Sequence, residues 1–188
     1  MLVLWIVHHV LNFKWYGSLL KGKYTPFHIL HAAVNSLLLL SMLGTMASAV
    51  ILSREVFAFL PISGGVALAR SMHVACAFWS FALMSLHLGM HWGMILGVMR
   101  KAFGPIHSKG LAVCLRIAGA AIAAYGVYGL INNQILSYMF LTSSFVFFDF
   151  ERPFVLFFTE YAAVMGLFVF GAYYGVKGLQ RKPENRRK

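Results

Sequence analysis

Two histidines, His73 and His87, lie fourteen residues apart within one long apolar stretch that runs from Ala69 to Gly93. Fourteen steps of about 100° fall just short of four helical turns, so both imidazoles project from nearly the same face of a helix. A rise of about 1.5 Å per residue separates them by roughly 21 Å along its axis. That is most of the depth of a hydrocarbon core of about 30 Å. A neutral imidazole is a common axial ligand of haem iron. One histidine near each membrane face, on one stripe, is the placement that holds two haems stacked across a bilayer.

An imidazole in hydrocarbon is costly unless it faces other protein and finds a partner, so each such residue is a functional candidate. Depth sorts the rest. His8 and His9 end a short apolar segment at a depth similar to His87. A haem between His87 and either of them would be ligated from two antiparallel helices. Adjacent helical residues point about 100° apart, so only one of His8 and His9 can face the iron. His91, one turn beyond His87, reads as a contact to a ligating ring or to a propionate. Arg70, three residues before His73, can pair with propionates at the outer surface. Ala75, Cys76, Ala77 and Ser80 near His73, and Gly89 and Gly93 near His87, offer room for a macrocycle against the backbone. His28, His31 and His107 read as interfacial side chains with wet tips, His31 being a competitor for the cytoplasmic-side site. Glu160 reads as a bundle-facing, hydrogen-bonded carboxyl, with proton relay or quinone contact as its functional alternative. Cys76 and Cys114 read as small buried apolar residues, and no Cys-x-x-Cys-His motif for covalent haem attachment is present.

The elements that must position these side chains are membrane helices. The chain has 188 residues, 60% hydrophobic and 11% charged, with mean hydropathy +0.75, whereas a soluble domain carries about 25% charged residues. Residues 1–11 are too short to span, since a span needs about 20 residues, and read as the last third of a helix. Further spans are expected at about 27–52, 70–98, 111–131 and 154–176, the third of these rich in Ala and Gly as close helix packing favours. Residues 135–150 are aromatic but interrupted by Thr-Ser-Ser, which suggests an interfacial or re-entrant piece. The result is an all-α, multi-pass transmembrane bundle of about five spans, the first incomplete. It forms one membrane domain, with a haem-binding core over 1–110, two further spans over 111–176 and a basic tail over 177–188. Alternating the spans gathers thirteen of the sixteen Lys and Arg on one side, with Arg116 snorkelling toward it. Only Arg54, Arg70 and Arg152 lie opposite, so the basic side, with the C-terminal tail, is expected to be cytoplasmic. Net charge +11 arises from these loops and not from a basic-aromatic surface, which argues against nucleic-acid binding.

The segments His8-His-Val-Leu-Asn-Phe-Lys-Trp-Tyr, Lys21-Gly-Lys-Tyr-Thr-Pro, Phe59-Leu-Pro-Ile-Ser-Gly-Gly, Ala69-Arg-Ser-Met-His and Leu86-His-Leu-Gly-Met-His-Trp-Gly-Met together resemble the bacterial flavinylation-associated cytochrome family. The resemblance covers most of the chain and is strongest from residue 8 to about 101. It implies a membrane b-type cytochrome of the bacterial cytoplasmic membrane. Such a protein passes electrons to an extracytoplasmic flavoprotein carrying covalent flavin (FMN). By the same resemblance His8 matches the cytoplasmic-side haem ligand, His87 its partner, and His73 the outer-side ligand. The family pattern has a further span and a histidine fourteen residues ahead of the His-His pair. The usual partner of His73 is therefore expected to lie before the first residue of this chain, in a truncated gene model. Loss of one haem is the alternative.

These readings make the chain an electron carrier more than a stand-alone enzyme. One haem b is expected here, and two if the preceding helix is restored. Electrons would come from the cytoplasmic side or the quinol pool. The alternatives are a non-redox membrane anchor or assembly subunit for a flavoprotein, and a quinone-binding membrane subunit.

Overall fold

In a computed structural model the described residues are 2–18, 25–53, 57, 59, 64–104, 108–143, 145–147, 149 and 151–180. They form α1 (Leu2–Leu11), α2 (Lys14–Ser18), α3 (Pro26–Leu52), α4 (Val66–Phe103), α5 (Lys109–Asn132), α6 (Ile135–Met139) and α7 (Phe154–Gln180). No strand occurs among the described residues. Four of the helices, α3, α4, α5 and α7, are long and apolar enough to cross a membrane, so the chain is an all-α, multi-pass membrane protein. The readings of Arg54, Glu55, Lys21, Lys23, His107 and the basic tail beyond Gln180 lie outside the described residues.

Local chemistry sets the ends of these helices. Pro26 opens α3, where its missing N–H costs nothing, and the Thr25 hydroxyl accepts from the His28 amide at 3.2 Å. Ser108 caps α5 in the same way, accepting from the Leu111 amide at 3.3 Å. Gly104 stops α4 at φ +83°, a backbone conformation that a side chain would strain. The α4 helix is longer than the hydropathy pattern suggested. Its 38 residues rise about 57 Å, so it projects beyond a hydrocarbon core of about 30 Å.

The long helices stand in a row, α3 against α4, α4 against α7 and α7 against α5, with α3 also touching α7. Small residues allow the close approaches. A Cβ at Gly126 on α5 would lie 2.3 Å from the Ala163 carbonyl oxygen of α7, and one at Gly89 on α4 would lie 2.6 Å from that of Val169. The expected Ala/Gly packing of the 111–131 span is thus the α5–α7 seam. Two apolar clusters lock the row. Val34, Leu83, Met90 and Val176 tie α3, α4 and α7 at one end. Ala82, Ile135, Met139 and Val164 tie α4, α6 and α7 toward the other. The short α6 is packed against α4 and α5 rather than laid on the surface, and the Trp79 indole donates to the Met139 carbonyl at 3.0 Å.

Glu160, 1% exposed, is bundle-facing and fully engaged. It pairs with Arg152 and accepts from Asn133 at 2.6 Å and Asn132 at 3.4 Å, while Arg152 also donates to the Asn133 side chain at 3.0 Å. A carboxylate at this depth persists only with such partners. They join the end of α5 to the start of α7. Cys114 is exposed, contrary to the expectation of burial: it lies on the outer face of α5, away from α7, and Cys76 is partly buried.

Candidate functional site

The histidine stripe of α4 faces α3, and the two helices meet at three polar pairs spaced seven residues apart on α4 and seven and six apart on α3. His73 lies against Ser48, with Nδ1 to Oγ at 3.2 Å. Ser80, seven residues on, donates to the Ser41 hydroxyl at 2.9 Å. His87, seven residues further, places Nδ1 2.7 Å from the Asn35 side-chain oxygen. A seven-residue repeat keeps one stripe of a helix against its neighbour, and polar pairs across such a stripe hold membrane helices together. The same stripe carries both candidate ligands.

Around His87 the structure gathers further imidazoles. The His8 and His87 ring centroids are 6.3 Å apart and inclined at 75°. His31 is likewise 6.3 Å from His87, and His91 is 4.7 Å from it. The His31 and His91 Nε2 atoms lie 3.2 Å apart. His31 is therefore a member of this cluster, not an isolated interfacial side chain. It sits one turn before Asn35, which puts both on the α3 face that meets α4.

Asn35 fixes which ring nitrogens hold protons, by the rule that a donor must meet an acceptor. Its oxygen can only accept, so His87 Nδ1 carries the proton and His87 Nε2 keeps its lone pair. Its amide nitrogen can only donate, here to His31 Nδ1 at 3.3 Å. That puts the His31 proton on Nε2, from which it is donated to His91 Nε2. Both lone pairs of His31 and His91 are thereby engaged. No hydrogen bond among the described residues engages the His8 ring. Within this cluster, His87 and His8 are the two rings with a nitrogen to spare.

His9 points elsewhere: its Nδ1 meets the Tyr16 hydroxyl at 2.6 Å, and its ring packs on Trp5 at 4.4 Å. Of the adjacent pair, His8 is the one turned to His87. At the other end of the stripe, the Ser48 hydroxyl donates to the Gly44 carbonyl at 2.7 Å and so accepts from His73 Nδ1. His73 Nε2 is left with its lone pair, the same pattern as at His87. Arg70 is exposed and has no ion-pair partner among the described residues.

Three of the small residues, Gly89, Cys76 and Ser80, serve a different purpose from the one expected. Gly89 lies two residues from His87, about 200° around the helix, and so faces away from it. It is closed by α7 and offers no room beside the imidazole. Cys76 is seated on Gly44, where an added Cβ would lie 2.7 Å from its sulfur, and Ser80 is occupied by Ser41. These residues let α3 approach α4. Gly93 has nothing within 4 Å of an added Cβ and remains open.

The donor set at His8 and His87 fits axial ligation of haem. The two rings come from different helices with centroids 6.3 Å apart, and each keeps a nitrogen that would be available to haem iron. A ligating histidine also generally donates its other N–H to an oxygen, as His87 does to Asn35 and His73 to Ser48. Asn35 and His31 were the residues underrated from sequence. The signal was present, because Asn35 is the only amide in the 27–52 span and lies four residues after a histidine. Comparison of the chain with protein-family profiles, with curated proteins and with solved structures finds no match.

Proposed function

We propose that the chain is a transmembrane b-type cytochrome of the bacterial cytoplasmic membrane that passes electrons to an extracytoplasmic flavoprotein. One observation carries the haem reading: His8 and His87 face each other from different helices, each with an uncommitted ring nitrogen, and Asn35 holds the His87 ring by its other nitrogen. The flavoprotein partner rests on the family resemblance.

Haem b, when bound, supplies a reversible one-electron iron couple. The chain's own residues hold and insulate it. Asn35 fixes the tautomer and plane of His87. The cluster of Val34, Leu83, Met90 and Val176 anchors α3, α4 and α7 beside the site, so the His87 imidazole is presented from a rigid wall. His31 and His91 occupy each other and leave the ligand position to His8. Electrons would enter from the cytoplasmic side or from quinol, at the end of the bundle where the basic residues gather.

The test is a dithionite-reduced minus oxidised spectrum of the protein purified in detergent with haem supplied in excess. The reading expects b-type bands that are lost in His8→Ala and His87→Ala and retained in His9→Ala. Absence of the bands in the unmodified chain would overturn it.

A further inference from the structure

At the same basic end of the bundle as His87, but between α5 and α7 and not between α3 and α4, an open cleft of about 250 Å³ is lined by Arg116, Tyr174, Lys177 and Gly178. Arg116 sits seven residues into α5, roughly 10 Å along the helix from Lys109, at a depth where a charge must reach back toward water or find a counter-ion. Lys177 lies one turn from the end of α7, with its ammonium 5.8 Å from the Tyr173 ring centroid. Neither cation is ion-paired: among the described residues the salt bridge is Arg152 with Glu160. The described carboxylates, Asp149, Glu151 and Glu160, belong to the opposite end of the bundle. Gly178 leaves the wall open, with nothing within 4 Å of an added Cβ. Further into the bilayer along α5 the surface is apolar and exposed at Ile117, level with Arg116, and at Val127, three turns beyond it on nearly the same face.

We propose that this cleft binds the phosphate of an anionic phospholipid. Arg116 and Lys177 converge on one phosphate from two helices, the Tyr174 hydroxyl is a third donor at the rim, and the acyl chains lie along the exposed apolar face of α5. A guanidinium paired with a phosphate forms charge-assisted hydrogen bonds in fixed geometry. Basic pockets between membrane helices are suited to such headgroups. A soluble phosphate would satisfy the same two cations, but only a lipid also covers Ile117 and Val127. The inference rests on the membrane placement of the four long helices and not on haem, so it can fail while the cytochrome reading stands.

The test uses the full chain in neutral detergent, with binding followed by native mass spectrometry and by the thermal unfolding midpoint. The probes are phosphatidylglycerol, phosphatidylcholine and glycerol phosphate. Phosphatidylglycerol is expected to bind and raise the midpoint, and the other two to do neither. The double substitution Arg116→Gln/Lys177→Gln is expected to weaken phosphatidylglycerol binding roughly 30-fold, about fivefold for each charge. The control Arg100→Gln/Lys101→Gln removes equal charge outside the cleft and is expected to keep binding. Equal loss in both double variants, or undiminished binding without Arg116 and Lys177, would overturn the site. Binding of glycerol phosphate as tight as that of the lipid, lost in the cleft variant, would overturn the lipid as occupant.

Discussion

An imidazole ligates a metal through a nitrogen that carries a lone pair, so the value of each histidine depends on what holds its other nitrogen. Asn35 makes that choice for two rings at once. Its oxygen accepts a hydrogen bond from His87 Nδ1–H at 2.7 Å and its amide donates one to His31 Nδ1 at 3.3 Å. Removing it therefore frees His87 to rotate and to adopt either tautomer, and releases His31 to compete for the site. Loss of such an outer partner costs about 10–100-fold in metal affinity. Asn35→Leu is expected to weaken haem binding by that factor in a haem titration of the apoprotein, while Ser41→Ala, which holds no imidazole, leaves it unchanged. An equal effect of both would show that the α3–α4 seam as a whole, and not the ring nitrogen, governs affinity.

At the scale of elements, the four long helices were legible because each contains an apolar run of span length, with end signals such as Pro26 and Ser108 at two of the starts, although α4 extends past its apolar run at both ends. Their rotation about their own axes was not. A helix that is apolar on nearly every side has no amphipathic phase to read, so the sequence could not say that His31 and Asn35 turn toward His87. Nor could it distinguish a glycine that makes room for a ligand from one that admits a neighbouring helix. Gly89 and Gly93 are separated by a single turn and read alike, yet the first is filled by α7 and the second is open. The pair Gly126 and Gly93 gives a direct test of this distinction. Gly126→Ala drives a methyl group into the Ala163 carbonyl and must separate α5 from α7, an overpacking cost of about 1–3 kcal/mol. Gly93→Ala meets nothing and gains about 0.8–1.0 kcal/mol of helix propensity. Thermal unfolding in detergent is expected to show a lowered midpoint for the first substitution and an equal or higher one for the second. Similar midpoints for both would mean that the α5–α7 seam tolerates separation.

At the scale of the molecule, the two ligand-ready nitrogens of α4 differ in what faces them. The His87 ring has the His8 ring 6.3 Å away between centroids, whereas the His73 ring, held by Ser48, meets no second imidazole among the described residues. Some 21 Å along α4 separates the two positions. A haem at His87 alone therefore serves one end of the bundle, and a path to the other membrane face requires a redox group at the depth of His73. Two axial bonds hold a haem where one holds it weakly, so this chain is expected to retain one haem per polypeptide. The pyridine haemochrome assay, set against quantitative amino-acid analysis, checks this. A ratio near one should persist in His73→Ala and vanish in His87→Ala. A ratio near two that falls to one in His73→Ala would instead show that a second copy completes the outer site with an imidazole of its own. In that case the unit that carries electrons from one face to the other is an oligomer.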